Sequence, residues 1–181
     1  MVPSGDNLKA LLQQMRPHAG PDLWVLSQRQ PVLLVFLRQL GCIFCKEAMS
    51  DIAERRERLE ACGVQVVCVH MGEEEEAERV FREFGLADVP RIADPDAFFY
   101  RRFGLLRGSF TQLFGLQTWI RGYQIYKEKG FRTEYSKRLG DSFQMPGVFV
   151  LHEGQVKEQF IHRMASDRPD YDELIRCCVP Q

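Results

Sequence analysis

Residues 31–47 read PVLLVFLRQLGCIFCKE, an apolar run followed at once by two cysteines three positions apart. The run is rich in Val and Leu and opens with a proline, a pattern typical of a β-strand buried on both faces. From about Ile43 to Cys62 the apolar residues follow helical spacing. This junction of strand and helix predicts that Cys42 and Cys45 lie at the first turn of a helix.

Further along the chain, apolar runs alternate with helical patterns. The segment VQVVCVH at 64–70 predicts a second strand, and the acidic start of residues 73–85 favours a helix because it complements the helix dipole. Residues 147–162, GVFVLHEGQVKEQFIH, predict a β-hairpin that turns at HEGQ, and residues 168–178 predict a final helix. This order predicts an α/β fold with a central mixed sheet flanked by helices.

The N-terminal region is expected to be less regular. DNLKALLQQ predicts a short helix over 6–14 with Asp6 as its N-cap, followed by a loop rich in proline and glycine. We expect a single domain over residues 1–181, with an N-terminal extension over about 1–20 and a helical insertion over about 105–145. A chain of this length can bury a sizeable core.

The composition, 45% hydrophobic and 27% charged with a net charge of −1, is that of a globular protein. This balance gives no overall bias toward nucleic acid or an anionic membrane. No apolar run approaches the roughly 18 residues of a membrane span, and the N-terminus lacks the apolar core of a secretory signal. The expected location is therefore the cytoplasm, where disulfides are usually transient and catalytic.

The predicted insertion is basic and aromatic. Between Tyr100 and Gly140 there are nine lysines and arginines but only two glutamates. Such a segment is suited to covering an active site or to docking a protein partner. Nucleic-acid binding would need the aromatic and cationic side chains on one shared face, so no nucleic-acid partner is predicted.

Three roles are open to Cys42 and Cys45: a redox couple, half of a metal site, or two small core residues. A cysteine at a helix N-terminus is stabilised as thiolate by the dipole and by unpaired N–H groups, and Arg38 and Lys46 add positive charge nearby. Structural zinc would need two more ligands, for which only the adjacent cysteines 177–178 and scattered histidines are present. The spacing favours a redox couple, which needs neither a metal nor an organic cofactor.

Four segments carry a resemblance to a known family: GCIFCKE at 41–47, IADPDAFFYRRFGL at 92–105, GSFTQLFGLQTWIRG at 108–122 and GDSFQMPGVFVLHEGQV at 140–156. In these segments the chain resembles the thioredoxin-like AhpC/TSA group, and most closely its peroxiredoxin-like branch that includes the SelL-type redox proteins. The resemblance implies a thioredoxin fold and a reactive C-x-x-C pair at Cys42 and Cys45.

The resemblance also implies a cis peptide bond at Met145–Pro146, because a cis-proline opens the strand that faces the active cysteines in the thioredoxin fold. A cis bond there would expose the Met145 backbone for pairing with an extended substrate. Met145, Pro146 and Arg38 are therefore the predicted substrate-binding residues.

The chain departs from typical peroxiredoxins at two positions. Those enzymes resemble P-x-x-x-[TS]-x-x-C, but Gln39 stands three residues before Cys42. FQMP occupies the place of their arginine, shortly before the late strand. Both departures count against efficient peroxide reduction.

The predicted function is that of a thiol–disulfide oxidoreductase or peroxiredoxin-like antioxidant protein. Cys42, expected to be the exposed member of the pair, would attack a protein disulfide or a peroxide, and Cys45, beneath it, would resolve the intermediate to a Cys42–Cys45 disulfide. A glutathione or thioredoxin system would restore the dithiol, and we expect a monomer or weak dimer. The alternative is a redox-silent thioredoxin-fold module that binds a protein partner through the basic aromatic insertion.

The other four cysteines form two groups. Cys62 and Cys68 are predicted to be small apolar fillers. Cys178 shares the apolar face of the last helix, so it is expected in the core. Cys177 points elsewhere and is a candidate for a distal resolving or intersubunit thiol.

Overall fold

The computed structural model describes residues 3–178, which form eight α-helices, one 3₁₀ helix and five strands. The helices are α1 Gly5–Gln14, α2 Leu23–Arg29, α3 Ile43–Ala61, α4 Glu74–Glu83, α5 Phe98–Arg102, α6 Phe110–Phe114, α7 Leu116–Lys129 and α8 Tyr171–Ile175, with the 3₁₀ helix at Lys137–Leu139. The strands are β1 Val32–Phe36, β2 Gln65–His70, β3 Arg91–Ala93, β4 Gly147–His152 and β5 Gln155–Ile161.

The strands form one mixed sheet in the order β3-β2-β1-β4-β5. Strand β1 lies at its centre, parallel to β2 and antiparallel to β4. Strand β3 extends the parallel part, and β5 closes the opposite edge as the antiparallel partner of β4. The predicted α/β fold, a central mixed sheet flanked by helices, is confirmed.

Strand β1 is buried along its whole length, as its continuous apolar sequence predicted. Leu33 and Val35 face one side of the sheet, where they pack with residues of α3, α4 and α8. Leu34 and Phe36 face the other side, where they pack with residues of α1 and α5. Because helices cover both faces, the end of β1 is held firmly, and the loop that leads to Cys42 starts from a fixed position.

Two details near the N-terminus differ from the prediction. Ser4 occupies the N-cap of α1, so Asp6 lies in the first helical turn instead. Residues Leu23–Arg29, expected to be loop, form α2, whose N-cap Asp22 accepts a hydrogen bond from the Val25 N–H at 3.0 Å. The sequence did not reveal this helix because seven residues span only two turns, too few for a helical period to stand out.

The predicted C-terminal hairpin is confirmed, and the predicted final helix is present but shorter than residues 168–178, at Tyr171–Ile175. The hairpin turns at Glu153 and Gly154, whose φ values of 53° and 68° are both positive, as a type I′ turn requires. Helix α8 buries Tyr171, Leu174 and Ile175 in the same core cluster as the inner face of α3.

Helices α6 and α7 and the 3₁₀ helix follow α5 and precede β4, within the range predicted for the insertion. Among residues 3–178, no helix combines the length and the apolar character that crossing a bilayer requires.

One buried side chain ties β1 to β2 where both strands approach the cysteine pair. The hydroxyl of Tyr100, on α5, hydrogen-bonds to the carbonyl oxygens of Leu37 and Val69, the latter at 3.0 Å. The Leu37 N–H also donates to the Val69 carbonyl, at 2.9 Å. Tyr100 is fully buried, so no water can take over its role.

We expect Tyr100→Phe to lower the free energy of unfolding by about 1–2 kcal/mol, because the buried Leu37 carbonyl loses its donor. Urea unfolding followed by circular dichroism measures this change. Tyr123→Phe is the matched control, since Tyr123 is exposed on α7 and should lose little. Equal losses in the two variants would contradict a stabilising role for the buried hydroxyl.

Candidate active site

Cys42 is the N-cap residue of α3 and Cys45 lies in its first turn, as the junction of strand and helix predicted. The Cys42 N–H donates to the Gln39 carbonyl at 2.8 Å, which closes the turn that leads into the helix. The Cys42 carbonyl accepts from the Lys46 N–H at 3.0 Å, the first bond of the helical ladder. Both cysteines are free thiols.

The surroundings of Cys42 favour its thiolate. A hydrogen bond from the Cys45 side chain, the charge of Arg38 and the N–H groups of Phe44 and Cys45 lower the pKa of Cys42 to about 6, against the opposing effect of burial. The pKa of Cys45 is raised well above its usual value, because its thiol donates to Cys42 and is itself buried. Near neutral pH the pair therefore holds one thiolate, at Cys42, and one thiol, at Cys45.

The expectation that Cys42 is the exposed member of the pair is wrong. Cys42 is 3% exposed and Cys45 is 4% exposed. The segment of residues 131–139, here termed the strap, runs beside the turn that precedes Cys42. Its position depends on contacts distant in sequence, so the local pattern around the cysteines gave no sign of it.

Glu134 makes three of the contacts that hold the strap beside the cysteine pair. The Glu134 N–H donates to the Gly41 carbonyl at 2.8 Å, and the Gln39 side-chain amide donates to the Glu134 carbonyl at 3.0 Å. The Glu134 carboxylate forms an ion pair of 2.5 Å with Lys46, which lowers the pKa of that carboxyl. Gly41 has no side chain, and this absence permits the approach: a Cβ there would lie 2.3 Å from the Glu134 carbonyl oxygen.

Arg38 lies beside both cysteines and is 6% exposed. Its backbone N–H donates to the Cys45 sulfur at 3.2 Å. The side-chain atoms Nε and Nη1 are buried and have no hydrogen-bond partner within residues 3–178. The site thus contains a buried cation with two donors available to a ligand.

A cavity of about 30 Å³ adjoins the pair and is lined by Arg38, Cys42, Cys45, Pro146 and His162, among others. Its volume is sufficient for about one water molecule. The structure therefore brings four of the five predicted site residues to one cavity. The fifth, Met145, is not among the residues that line it and packs with Leu113 and Ala165.

The predicted cis bond before Pro146 is wrong, since no peptide bond within residues 3–178 is cis. Trans is the more stable isomer of most X–Pro bonds, so a cis form needs specific support. The Met145 backbone was expected to be free for pairing with a substrate, but its hydrogen-bonding groups are already used within the protein. Its N–H donates to the Leu106 carbonyl at 3.2 Å, and its carbonyl accepts from the Gln144 side chain at 3.2 Å.

His162 is a cavity residue that sequence reasoning missed. It directly follows β5, and burial lowers its pKa to about 4, so the imidazole is neutral near pH 7. Nothing in the sequence distinguished it from a surface histidine, because β5 is an edge strand with mostly half-buried and exposed residues.

Two buried carboxylates on α3 were also missed. Asp51 is 1% exposed and receives two hydrogen bonds from Arg168, at 2.6 and 2.7 Å. Glu47 pairs with Arg121 of α7 at 2.5 Å, and burial raises the pKa of this carboxyl despite that partner. The available signal was their spacing of four residues, which places both on one face of the helix.

The remaining cysteines lie outside the cavity beside Cys42. Cys68 is buried in β2, and burial raises its pKa to about 12, consistent with a core filler. The sulfurs of Cys177 and Cys178 lie 3.3 Å apart, and burial raises the pKa of Cys178 to about 12. In the part of the chain that the structure describes, no group of three or more His, Cys, Asp or Glu side chains could hold a metal ion.

Comparison with known proteins identifies the family. Residues 51–166 match the family described as AhpC/TSA antioxidant enzyme, and this range is more than half of the chain. The protein therefore belongs to the AhpC/TSA antioxidant enzyme family, and this membership supports a redox oxidoreductase function in general. The matched range begins after Cys45, so the C-x-x-C pair lies outside it.

Curated relatives agree with this assignment. The chain is 25% identical over 165 residues to the chloroplastic thioredoxin-like protein AAED1 of Arabidopsis thaliana, a match that covers 87% of this chain and 64% of the relative. It is 23% identical to prostamide/prostaglandin F synthase of Danio rerio, covering 86% and 77% of the two chains. The chain therefore spans less than two thirds of the length of the Arabidopsis relative.

Solved peroxiredoxin structures share the fold. Peroxiredoxin Q of Xanthomonas campestris has a TM-score of 0.60 at 15% identity, with 87% of this chain and 85% of that chain covered. A mutant of peroxiredoxin 6 of Arenicola marina also has a TM-score of 0.60, at 10% identity, covering 86% and 62%. These likenesses confirm the thioredoxin-like fold.

Alkylation of Cys42 should be half-maximal near pH 6 and reach a plateau above it, because only the thiolate reacts. Rates of iodoacetamide labelling, resolved by peptide mass spectrometry, give this profile. Arg38→Gln should shift the midpoint to higher pH, since the loss of a neighbouring positive charge disfavours the thiolate. Arg102→Gln, an exposed arginine on α5, is the control, and an equal shift there would refute the role of Arg38.

Gly41→Ala should speed the alkylation of Cys42 several-fold at pH 8, because the added methyl group displaces the strap at Glu134. Gly122→Ala is the matched control, since a Cβ at Gly122 meets no atom closer than 3.8 Å. The same mass-spectrometric assay reports both variants. An unchanged rate in Gly41→Ala would mean that the strap does not limit access to Cys42.

Proposed function

We propose that the protein reduces peroxides with the Cys42–Cys45 couple, Cys42 attacking and Cys45 resolving. One observation carries this proposal: the Cys42 thiolate lies beside a buried guanidinium, that of Arg38, with unpaired donors. A peroxide bound there would have its oxygens oriented by Arg38 and within reach of the sulfur. The same charge would stabilise the negative oxygen that develops as the peroxide bond breaks.

The proposed reaction has two steps. In the first, the Cys42 sulfur bonds to one peroxide oxygen, the O–O bond breaks, and the other oxygen takes up a proton and leaves as water or an alcohol. Cys42 is then a sulfenic acid. In the second, the Cys45 sulfur attacks that sulfenic sulfur, and water leaves as the disulfide forms. Together, one peroxide is reduced and two thiols are oxidised.

Burial favours a peroxide over a protein disulfide as the direct substrate. A protein disulfide has to place one of its sulfurs in line with the sulfur of Cys42, a residue that is only 3% exposed. A peroxide group has two oxygens and occupies little more volume than the one water for which the adjoining cavity has room. The strap would have to move before a macromolecular disulfide could react.

Arg38 offers a substitute for the groups that the sequence lacks. Gln39 stands where peroxiredoxins have Thr or Ser, but its amide donates to the strap at Glu134 instead of facing the sulfur. The positive charge that peroxiredoxins place before the late strand is supplied here from the loop that follows β1. The sequence predicted inefficient peroxide reduction, and we propose that Arg38 partly compensates for the missing groups.

A thiol reductant, of the glutathione or thioredoxin type, would restore the dithiol by exchange with the disulfide. This partner, the single domain, the monomeric or weakly dimeric state and the cytoplasmic location stay predictions. The second candidate function, a redox-silent binding module, draws support from the exposed aromatic side chains of the insertion.

The two candidates differ in what happens to the thiols after one equivalent of hydrogen peroxide. In the wild type, a Cys42–Cys45 disulfide should form. Cys42→Ser should slow thiol loss by more than about tenfold, because this variant lacks the thiol whose pKa is lowered to about 6. Cys45→Ser should halt at a Cys42 sulfenic acid that dimedone traps.

Cys62→Ser is the control, since Cys62 ends α3 away from the cavity and should behave as wild type. The readout is peptide mass spectrometry of quenched samples over time. Thiol loss that is slow and does not depend on Cys42 would reject the peroxidase and favour the binding module.

A further inference from the structure

A second opening reaches Cys42 from the side of the insertion. This aromatic groove has a volume of about 380 Å³ and lies between the start of α3, helix α7 and the strap. Its aromatic lining from the insertion consists of Trp119, Tyr123, Tyr126, Phe131 and Tyr135. Trp119 and Tyr135 are each 73% exposed. A cluster of large aromatic side chains that is exposed in this way usually marks a binding surface.

The charges of the groove have one sign. Arg38 and Arg132 line it, and none of the described lining residues is acidic. Arg132 is exposed and lies over the ring of Tyr126, 5.7 Å from its centroid. No ion pair formed within residues 3–178 involves Arg132, whereas Arg121 and Lys129 of α7 are paired with carboxylates of α3. An anionic ligand is the complement of this lining.

The dimensions favour a small molecule over a protein. A volume of about 380 Å³ lies within the range of small-molecule sites, about 300–1,000 Å³. The groove leads to Cys42, whose low exposure excludes a bulky chain but admits the end of a narrow ligand. Arg38, which lines both the groove and the small cavity, has its free donors at that end.

We infer that the aromatic groove binds organic hydroperoxides that carry an apolar body and a carboxylate. The apolar body lies against the rings of α7 and the strap, the carboxylate pairs with Arg132, and the hydroperoxide reaches Cys42 and Arg38. This inference rests on the proposed function and adds the substrate class. Cys42 takes the terminal oxygen, the O–O bond breaks, the carboxylated alcohol leaves, and Cys45 completes the disulfide with release of water.

The test compares cumene hydroperoxide with its para-carboxylate, which differ only in the anionic group. We expect wild-type kcat/KM to be about fivefold higher for the carboxylate, equivalent to about 1 kcal/mol from one partly exposed charge contact. Arg132→Gln should bring this ratio close to one. Arg102→Gln is the matched control, because Arg102 also lies over an aromatic ring, Phe98, but outside the groove, and it should keep the wild-type ratio.

A binding measurement that needs no turnover accompanies the kinetics. The sequence has two tryptophans, so a Trp24→Phe background leaves Trp119 as the only fluorophore of its kind. Titration with para-isopropylbenzoate, which lacks the peroxide, should change Trp119 fluorescence and saturate. Arg132→Gln should weaken this binding about fivefold, in line with the kinetic ratio.

The outcomes separate this inference from the proposed function. Binding at Trp119 that depends on Arg132 without any peroxide turnover would uphold the ligand site and reject the peroxidase. Turnover of hydrogen peroxide that depends on Cys42, without binding and with equal rates for the two cumene compounds, would overturn the groove inference alone. If analytical ultracentrifugation showed a dimer that Trp119→Ala converts to a monomer, this result would also overturn the inference, since the groove would then be an interface between two copies.

Discussion

The buried charge of Arg38 is the constraint on which the arrangement of the site depends. A guanidinium removed from water costs several kcal/mol unless an anion or a set of acceptors compensates it. Arg38 is 6% exposed, and two of its side-chain nitrogens have no acceptor among residues 3–178. One compensating anion is the Cys42 thiolate, whose pKa Arg38 helps to lower. The two groups are therefore mutually stabilising, and each explains why the other is tolerated out of water.

Electrostatic contacts also explain the composition of the insertion. Its excess of lysine and arginine suggested a docking surface, but much of that positive charge is paired with carboxylates of the same chain. Arg121 pairs with Glu47, Lys129 with Glu54, and Arg138 with the acidic start of α4 at Glu73. The acidic and basic runs, which look unrelated in the sequence, hold α7 and the strap against α3 and α4. The charge that remains unpaired in the aromatic groove, at Arg132, is informative for that reason.

The sequence was sufficient to predict features that depend on short-range patterns. The buried strand β1, the helix that starts at Cys42 and the hairpin at Glu153–Gly154 each follow from apolar periodicity or turn chemistry over a few residues. The burial of Cys42 and the contribution of His162 could not be predicted in this way, because both result from segments about 100 residues distant meeting the loop after β1. The cis-proline was an expectation from family resemblance, and the hydrogen bonds around Met145 show a different local arrangement.

In the proposed reaction, the same electrostatics would distinguish the reduced from the oxidised protein. In that reaction, disulfide formation between Cys42 and Cys45 would remove the thiolate charge that lies beside the Arg38 guanidinium. The oxidised site would then contain a buried cation that has lost one compensating anion, and the nearby carboxylates of Glu47 and Asp51 are already paired with Arg121 and Arg168. Entry of water, or movement of the strap away from Gly41, would relieve that cost. Both changes would increase access to the disulfide, which is what a thiol reductant needs in order to attack it.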